Sequence, residues 1–132
     1  MSEHYHAIVW IDHQQARLFH FDAEAADREV IRSHSPERHI HHKANSIGSG
    51  HAAQDRHFLH EVALALHDAG AVVITGPGNA KQELIKYIEH HDPQLLPRVR
   101  GVETLDHPTD GALVAYARHY FRSSDRMRSQ RE

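Results

Sequence analysis

Residues 71–85 read Ala71-Val72-Val73-Ile74-Thr75-Gly76-Pro77-Gly78-Asn79-Ala80-Lys81-Gln82-Glu83-Leu84-Ile85, and this stretch decides the fold. Ala71 to Thr75 is a short, unbroken, largely β-branched apolar run, the pattern of a strand covered on both faces and so of the middle of a sheet. Gly76-Pro77-Gly78-Asn79 ends the strand. From Ala80 to His90, Leu84, Ile85 and Ile88 recur at helical spacing until Asp92-Pro93 stops them. Asn79 is the predicted N-cap, with Gln82 three residues on. A buried strand feeding a helix is half of a crossover unit, so helices should cover the sheet on its faces.

Outward from this unit the same rules place the other elements. Phe58, Val62, Leu66 and Ala69, flanked by Leu59 and Ala63, predict a helix over Gln54 to Ala69, stopped by Gly70. Tyr5 to Ile11 reads as a buried strand, with Tyr5, Ala7, Val9 and Ile11 on one face and Ile8 and Trp10 on the other. Asp12-His13-Gln14-Gln15 is its turn, Ala16 to Phe21 the next strand, and Arg28 to Ser33 a weaker third. Short connections make these three an antiparallel meander. Toward the C-terminus Val99 to Leu105 is a last strand, and Thr109 caps a helix from Asp110 to Phe121 that packs through Leu113, Ala117 and Phe121. The order β-β-β-α-β-α-β-α predicts an α/β fold: a ribonuclease-H-like three-layer α/β/α arrangement around a mixed sheet. Residues 1–122 are expected to form one domain, with residues 33–54 as a long flexible loop and residues 123–132 as a polar, frayed tail.

Composition agrees with one core. The chain has 132 residues, 39% hydrophobic and 25% charged, near the globular average and of a size for a single domain. It has no cysteine, which excludes disulfides, thiol nucleophiles and thiolate metal sites. No apolar run reaches a membrane span of roughly 18 residues, and Met1-Ser2-Glu3-His4 lacks the features of a secretory signal, so a cytoplasmic protein with no membrane partner is expected. Net charge is −3 with histidine neutral, but 16 histidines make the field depend on pH. Of the 15 basic residues 12 are arginine, suited to planar contacts with phosphate or carboxylate.

The element order and the segment Val72-Val73-Ile74-Thr75-Gly76-Pro77-Gly78-Asn79-Ala80-Lys81-Gln82-Glu83-Leu84, with the loop and helix before it, resemble the middle domain of archaeo-eukaryotic peptide release factor one and its relative Pelota, including small bacterial homologues. The resemblance covers roughly Tyr5 to Phe121 and implies the ribonuclease-H-like fold of the translational machinery components. In the release factors the loop before the first long helix carries a Gly-Gly-Gln tripeptide whose glutamine helps water attack peptidyl-tRNA. Here that stretch reads Asn45-Ser46-Ile47-Gly48-Ser49-Gly50-His51. No residue matches the glutamine, so the resemblance implies a non-catalytic, Pelota-like factor with the ribosome, ribosomal RNA or transfer RNA as partner, rather than an enzyme. The family's codon-reading and partner-binding domains have no counterpart in these residues.

The residues of that loop fit the implication. Arg38, His39, His41, His42, Lys43, His51 and Arg56 supply positive or titratable groups for a phosphate backbone, and Gly48, Ser49 and Gly50 a flexible tip. A merely solvated loop fits the same composition. Gly76, Gly78, Asn79 and Lys81 form a candidate anion-binding turn at a helix N-terminus, although Pro77 removes a donor and a tight strand-to-helix turn accounts for the glycines. For metal, His39 and His41 align if extended, and His57 sits one helical turn before Glu61; surface histidines explain the same residues, and no cofactor is expected. A ribonuclease-H-like fold also raises two-metal hydrolysis of a phosphoester, with Asp12, Glu61 and Asp106 as candidate ligands and Asp110 nearby. Against this, the central strand ends Ile74-Thr75-Gly76 without an acid, and Asp12 suits a hairpin turn. A histidine-rich, metal- or pH-responsive interaction module is a third reading, and an exposed strand edge would permit a homo-oligomer.

Overall fold

The structure is a computed structural model that describes the backbone of residues 5–33 and 49–131 and the side chains of residues 5–33 and 56–122. Strands β1 (His6–Ile11), β2 (Gln15–Phe21) and β3 (Ala26–Arg32) form the predicted meander. Helix α1 (Ser49–Ala65) leads through a 3-10 turn (Leu66–Asp68) into β4 (Ala71–Gly76), then α2 (Ala80–His91), a second 3-10 segment (Pro93–Arg98), β5 (Val99–Thr104) and α3 (Asp110–Arg131). The sheet order is β3-β2-β1-β4-β5. β1 pairs antiparallel with β2 and parallel with β4, and β4 pairs parallel with β5.

β1 and β4 are the middle of the molecule. Five of the six β1 residues and all six of β4 are buried, because both faces are covered. On one face Ala7, Val9, Ile11, Leu18, Val72 and Ile74 pack against Phe58, Val62 and Leu66 of the α1 segment and Leu84 and Ile88 of α2. On the other, Ile8, Trp10, Phe19, Phe21 and Val73 meet Leu113, Ala117 and Phe121 of α3. Three layers result. Thr75, the one polar residue in β4, is fully buried, and its hydroxyl donates to the Val9 carbonyl at 2.9 Å.

Several boundaries differ from the sequence reading. Tyr5 lies outside β1 and is 54% exposed, its carbonyl accepting the N–H groups of Gly70 and Ala71. Helix α1 starts at Ser49, so residues 49–54 are helical where a loop was expected. Low helix propensity in Ser49-Gly50 is offset at a helix start, where the first N–H groups need no intrahelical partner. Helix α3 runs to Arg131, where the sequence reading ended it at Phe121; apolar periodicity stops there, but no glycine or proline breaks the backbone. The 3-10 segment at Pro93–Arg98 replaces a plain loop and buries Leu95. Asn79 is the α2 N-cap residue, but its carbonyl rather than its side chain makes the bonds, accepting from Gln82 and Glu83 at 3.0 and 3.1 Å.

Gly76 closes the central unit. Its φ is +157°, and a Cβ would press into the Ile11 carbonyl oxygen of the neighbouring strand. Its own carbonyl accepts the Leu105 N–H at 3.1 Å. Gly76→Ala is therefore expected to cost about 1–3 kcal/mol. Urea denaturation reads this directly, and an unchanged midpoint would show that the β1–β4 approach relaxes freely.

Candidate functional site

In an open α/β sheet the crevice beyond the carboxyl ends of the parallel strands, where the chain leaves in opposite directions, is the usual binding position. Here it lies past Ile11 and Gly76: β1 turns back into β2 while β4 passes into α2. Its walls are Asp12, His13, Phe58, Leu59, Ala80 and Glu83. The polar groups are largely committed to the scaffold. Asp12 Oδ1 accepts the Gln14 and Gln15 N–H groups at 2.8 and 2.9 Å, an Asx turn that builds the hairpin. His13 Nε2 lies 3.4 Å from Glu83 Oε2.

The candidate carboxylates for two-metal chemistry are not gathered. Glu61 pairs along α1 with His57 at 3.6 Å, and the Asp106 side chain is 92% exposed beside His107. Asp110 is held by Arg17 at 2.7 Å and Arg28 at 2.9 Å. Among the described residues no three histidine, aspartate or glutamate side chains are arranged to hold a metal ion. Candidate ligands His39 and His41 lie outside the described residues.

At the candidate anion turn, Lys81 is 5% exposed and its ammonium donates to the Gly78 carbonyl. The lysine thus closes the turn on itself, while Gly76 meets the steric demand of Ile11. Of the basic loop, Arg38, His39, His41, His42, Lys43 and Gly48 lie outside the described residues. Ser49, Gly50 and His51 belong to the first turn of α1, and Arg56 is exposed on the same helix.

Sequence reasoning missed two polar clusters. Arg17 sits opposite Trp10 in the β1–β2 register, its guanidinium 4.7 Å from the Trp10 ring centre and bonded to the Pro108 carbonyl. Trp10 Nε1 in turn donates to the carbonyls of Leu105 and Asp106 at 3.2 and 3.0 Å. Together they fasten the β5–α3 connection to the sheet. An arginine on a face otherwise carrying Phe19 and Phe21 was the available signal. In the second cluster His67 Nε2 lies 2.6 Å from Asp92 Oδ2, and Arg98 donates to the carbonyls of His67 and Ala69, joining the ends of α1 and α2. Here the partners are far apart in sequence and no spacing rule links them.

On the α3 face Tyr116 and Tyr120 stack at 6.1 Å, and Tyr120 donates to the Arg100 carbonyl at 3.1 Å. Burial, with the Glu103 charge added, raises both phenols above their ordinary value of 10.0. The phenols stay protonated in the folded chain at pH values where the unfolded chain loses its protons, so their contribution to stability is intact below pH 10 and is lost as pH rises through the folded-state values. A Tyr116→Phe/Tyr120→Phe double variant should lose less stability than the parent between pH 9 and about 11.5, as read by denaturation at each pH; parallel alkaline curves would remove this assignment.

These features define an α/β domain whose sheet order is that of the ribonuclease-H-like folds and whose crevice is used for structure. The chain has the fold of a Pelota- and release-factor-like domain. It superimposes on Pelota of Archaeoglobus fulgidus with a TM-score of 0.58, 14% identity and 86% of this chain covered against 30% of that one. For Pelota of Thermoplasma acidophilum the values are 0.57, 17%, 88% and 33%. For the archaeal translation termination factor aRF1 they are 0.56, 15%, 96% and 39%. The chain thus spans about a third of the length of the structures it matches. No family model matches the sequence, and no curated protein matches it.

Proposed function

We propose that this chain is a translation-associated factor that binds the ribosome or its RNA and does not hydrolyse peptidyl-tRNA. The observation that carries this reading is the likeness to Pelota and aRF1, which extends over 86–96% of the chain. Three further features support it. The sequence between β3 and α1 concentrates Arg38, Lys43 and several histidines, and Arg56 is exposed on the helix that follows. The seven glycines of the chain are nowhere adjacent, so no Gly-Gly-Gln tripeptide exists to position water. The crevice carboxylates are taken up, Asp12 by its own turn and Glu83 by the contact with His13. Among the described residues no helix is long and apolar enough to cross a membrane, in keeping with work in the cytoplasm.

In this reading Arg38, His39, His41, His42, Lys43, His51 and Arg56 meet phosphate, and Gly48, Ser49 and Gly50 let the backbone approach closely. Co-sedimentation with purified ribosomes over a salt series tests it. Saturable binding is expected, weakened at least tenfold by Arg38→Glu/Lys43→Glu/Arg56→Glu, with a salt dependence shallower by about 2 to 3. Binding indifferent to the triple change, or absent at low salt, overturns the proposal; release of peptide from peptidyl-tRNA above the spontaneous rate would overturn its non-hydrolytic half.

A further inference from the structure

The two edges of the sheet are not alike. β3, at one end, carries Asp27, Arg28, Glu29 and Arg32 and so resists pairing. β5, at the other end, pairs with β4 alone among the described residues and bears Val102, an apolar β-branched residue that is 38% exposed. The Leu105 N–H donates to the Gly76 carbonyl, so the main-chain groups of Gly101, Glu103 and Leu105 face β4. Bonding direction alternates along a strand. The N–H and C=O groups of Val102 and Thr104 therefore point away from the sheet, and among the described residues none of the four has a partner.

Beside this edge lies an open groove of about 530 Å³. Val102 and Ile85 are its apolar part, and Gln82, Lys86 and Glu89, a row at helical spacing on α2, form its far wall. A bare strand edge with a groove between it and a helix is the geometry that receives an extended peptide: main chains pair, and every second side chain enters the groove. On the opposite face of β5 stands Glu103. A Cβ at Gly101 would meet the Tyr120 hydroxyl and lie 3.5 Å from Glu103 Oε2. Among the described residues no basic side chain pairs with this carboxylate.

A second copy of this chain does not answer that charge. When a strand pairs antiparallel with its own twofold mate, residues that stand opposite share a face of the sheet, so odd positions meet only odd ones and even only even. Glu103 then never faces Arg100, the one basic residue of β5. An unrelated peptide is free of this restriction and can supply the opposite charge directly across from Glu103.

We propose that the outer edge of β5 takes an extended segment of a partner protein as an added antiparallel strand. The segment has an apolar, β-branched residue opposite Val102, whose side chain enters the groove against Val102 and Ile85. Just before it stands an arginine or lysine, which comes opposite Glu103. This goes beyond the ribosome-binding reading and does not rest on it, since neither Arg56 nor any residue of the β3–α1 connection takes part.

The full-length chain is titrated by fluorescence anisotropy against the amidated peptide Gly-Ser-Thr-Arg-Ile-Thr-Ser, labelled with fluorescein at its N-terminus. Saturable binding is expected. Val102→Lys, a change at an exposed position, should weaken it at least about tenfold by placing a charge in the groove. An N-methyl group on the isoleucine nitrogen, which faces Val102, should also cost at least about tenfold, whereas one on the arginine nitrogen, which faces solvent, should leave affinity within about threefold. Glu103→Arg should weaken the arginine peptide and favour the same peptide with glutamate in place of arginine, each by about two- to fivefold. Absence of saturable binding overturns the inference, and so does binding unmoved by the isoleucine N-methyl group, a change that leaves the protein itself untouched. A dimer of the parent in analytical ultracentrifugation that Val102→Lys dissociates would assign the edge to a second copy and overturn it as well.

Discussion

The molecule depends on β1 being paired on both sides and covered on both faces. Its backbone bonds antiparallel to β2 and parallel to β4, so it joins the meander to the crossover half of the sheet. Its side chains alternate between the two cores, Ala7, Val9 and Ile11 toward α1 and α2 and Ile8 and Trp10 toward α3. A slip of one residue would exchange the two sets. The large Trp10 makes that exchange costly, because its indole N–H is bonded to the carbonyls of Leu105 and Asp106.

From that strand the polar clusters follow. Trp10 supports Arg17, Arg17 and Arg28 hold Asp110, and Asp110 stands in the first turn of α3, where a carboxylate is favoured by the helix dipole. On the opposite face the His67–Asp92 pair joins the ends of the helical layer. These buried or half-buried contacts orient the helices, and hydrophobic burial supplies most of the stabilisation. The outer strands are different. β3 carries Asp27, Arg28, Glu29 and Arg32 along an exposed edge, a charge pattern that discourages edge-to-edge pairing.

Such an arrangement leaves little open space at the end of the central strands. The crevice at the carboxyl ends of β1 and β4 is narrowed by Phe58, Leu59 and Ala80, and Asp12 is bonded to its own turn. Arg38 and Lys43 lie in the sequence between β3 and α1, and Arg56 is exposed on α1.

Much of the frame was legible in the linear order of residues. The unbroken run Ala71 to Thr75, the alternation in Ala7 to Ile11 and the helical spacing of Leu113, Ala117 and Phe121 are local patterns, because side-chain direction repeats every two residues in a strand and every 3.6 in a helix. Element order, the mixed sheet and the two-faced core follow from them. Helix ends were less legible: Ser49 to Gln54 and Arg122 to Arg131 lack apolar periodicity, and backbone hydrogen bonding, which the pattern does not report, carries the helix through both. The candidate sites depended on distance. Asp12, Glu61 and Asp106 are acids of the right type, but only packing could show that one holds a turn, one pairs with His57 and one faces solvent. Likewise Arg17 with Asp110 and His67 with Asp92 are separated by 93 and 25 residues. Sequence by itself determined which elements form, since that is a matter of neighbours along the chain; which polar groups meet was decided only by the tertiary structure, since it alone brings distant residues within hydrogen-bonding reach.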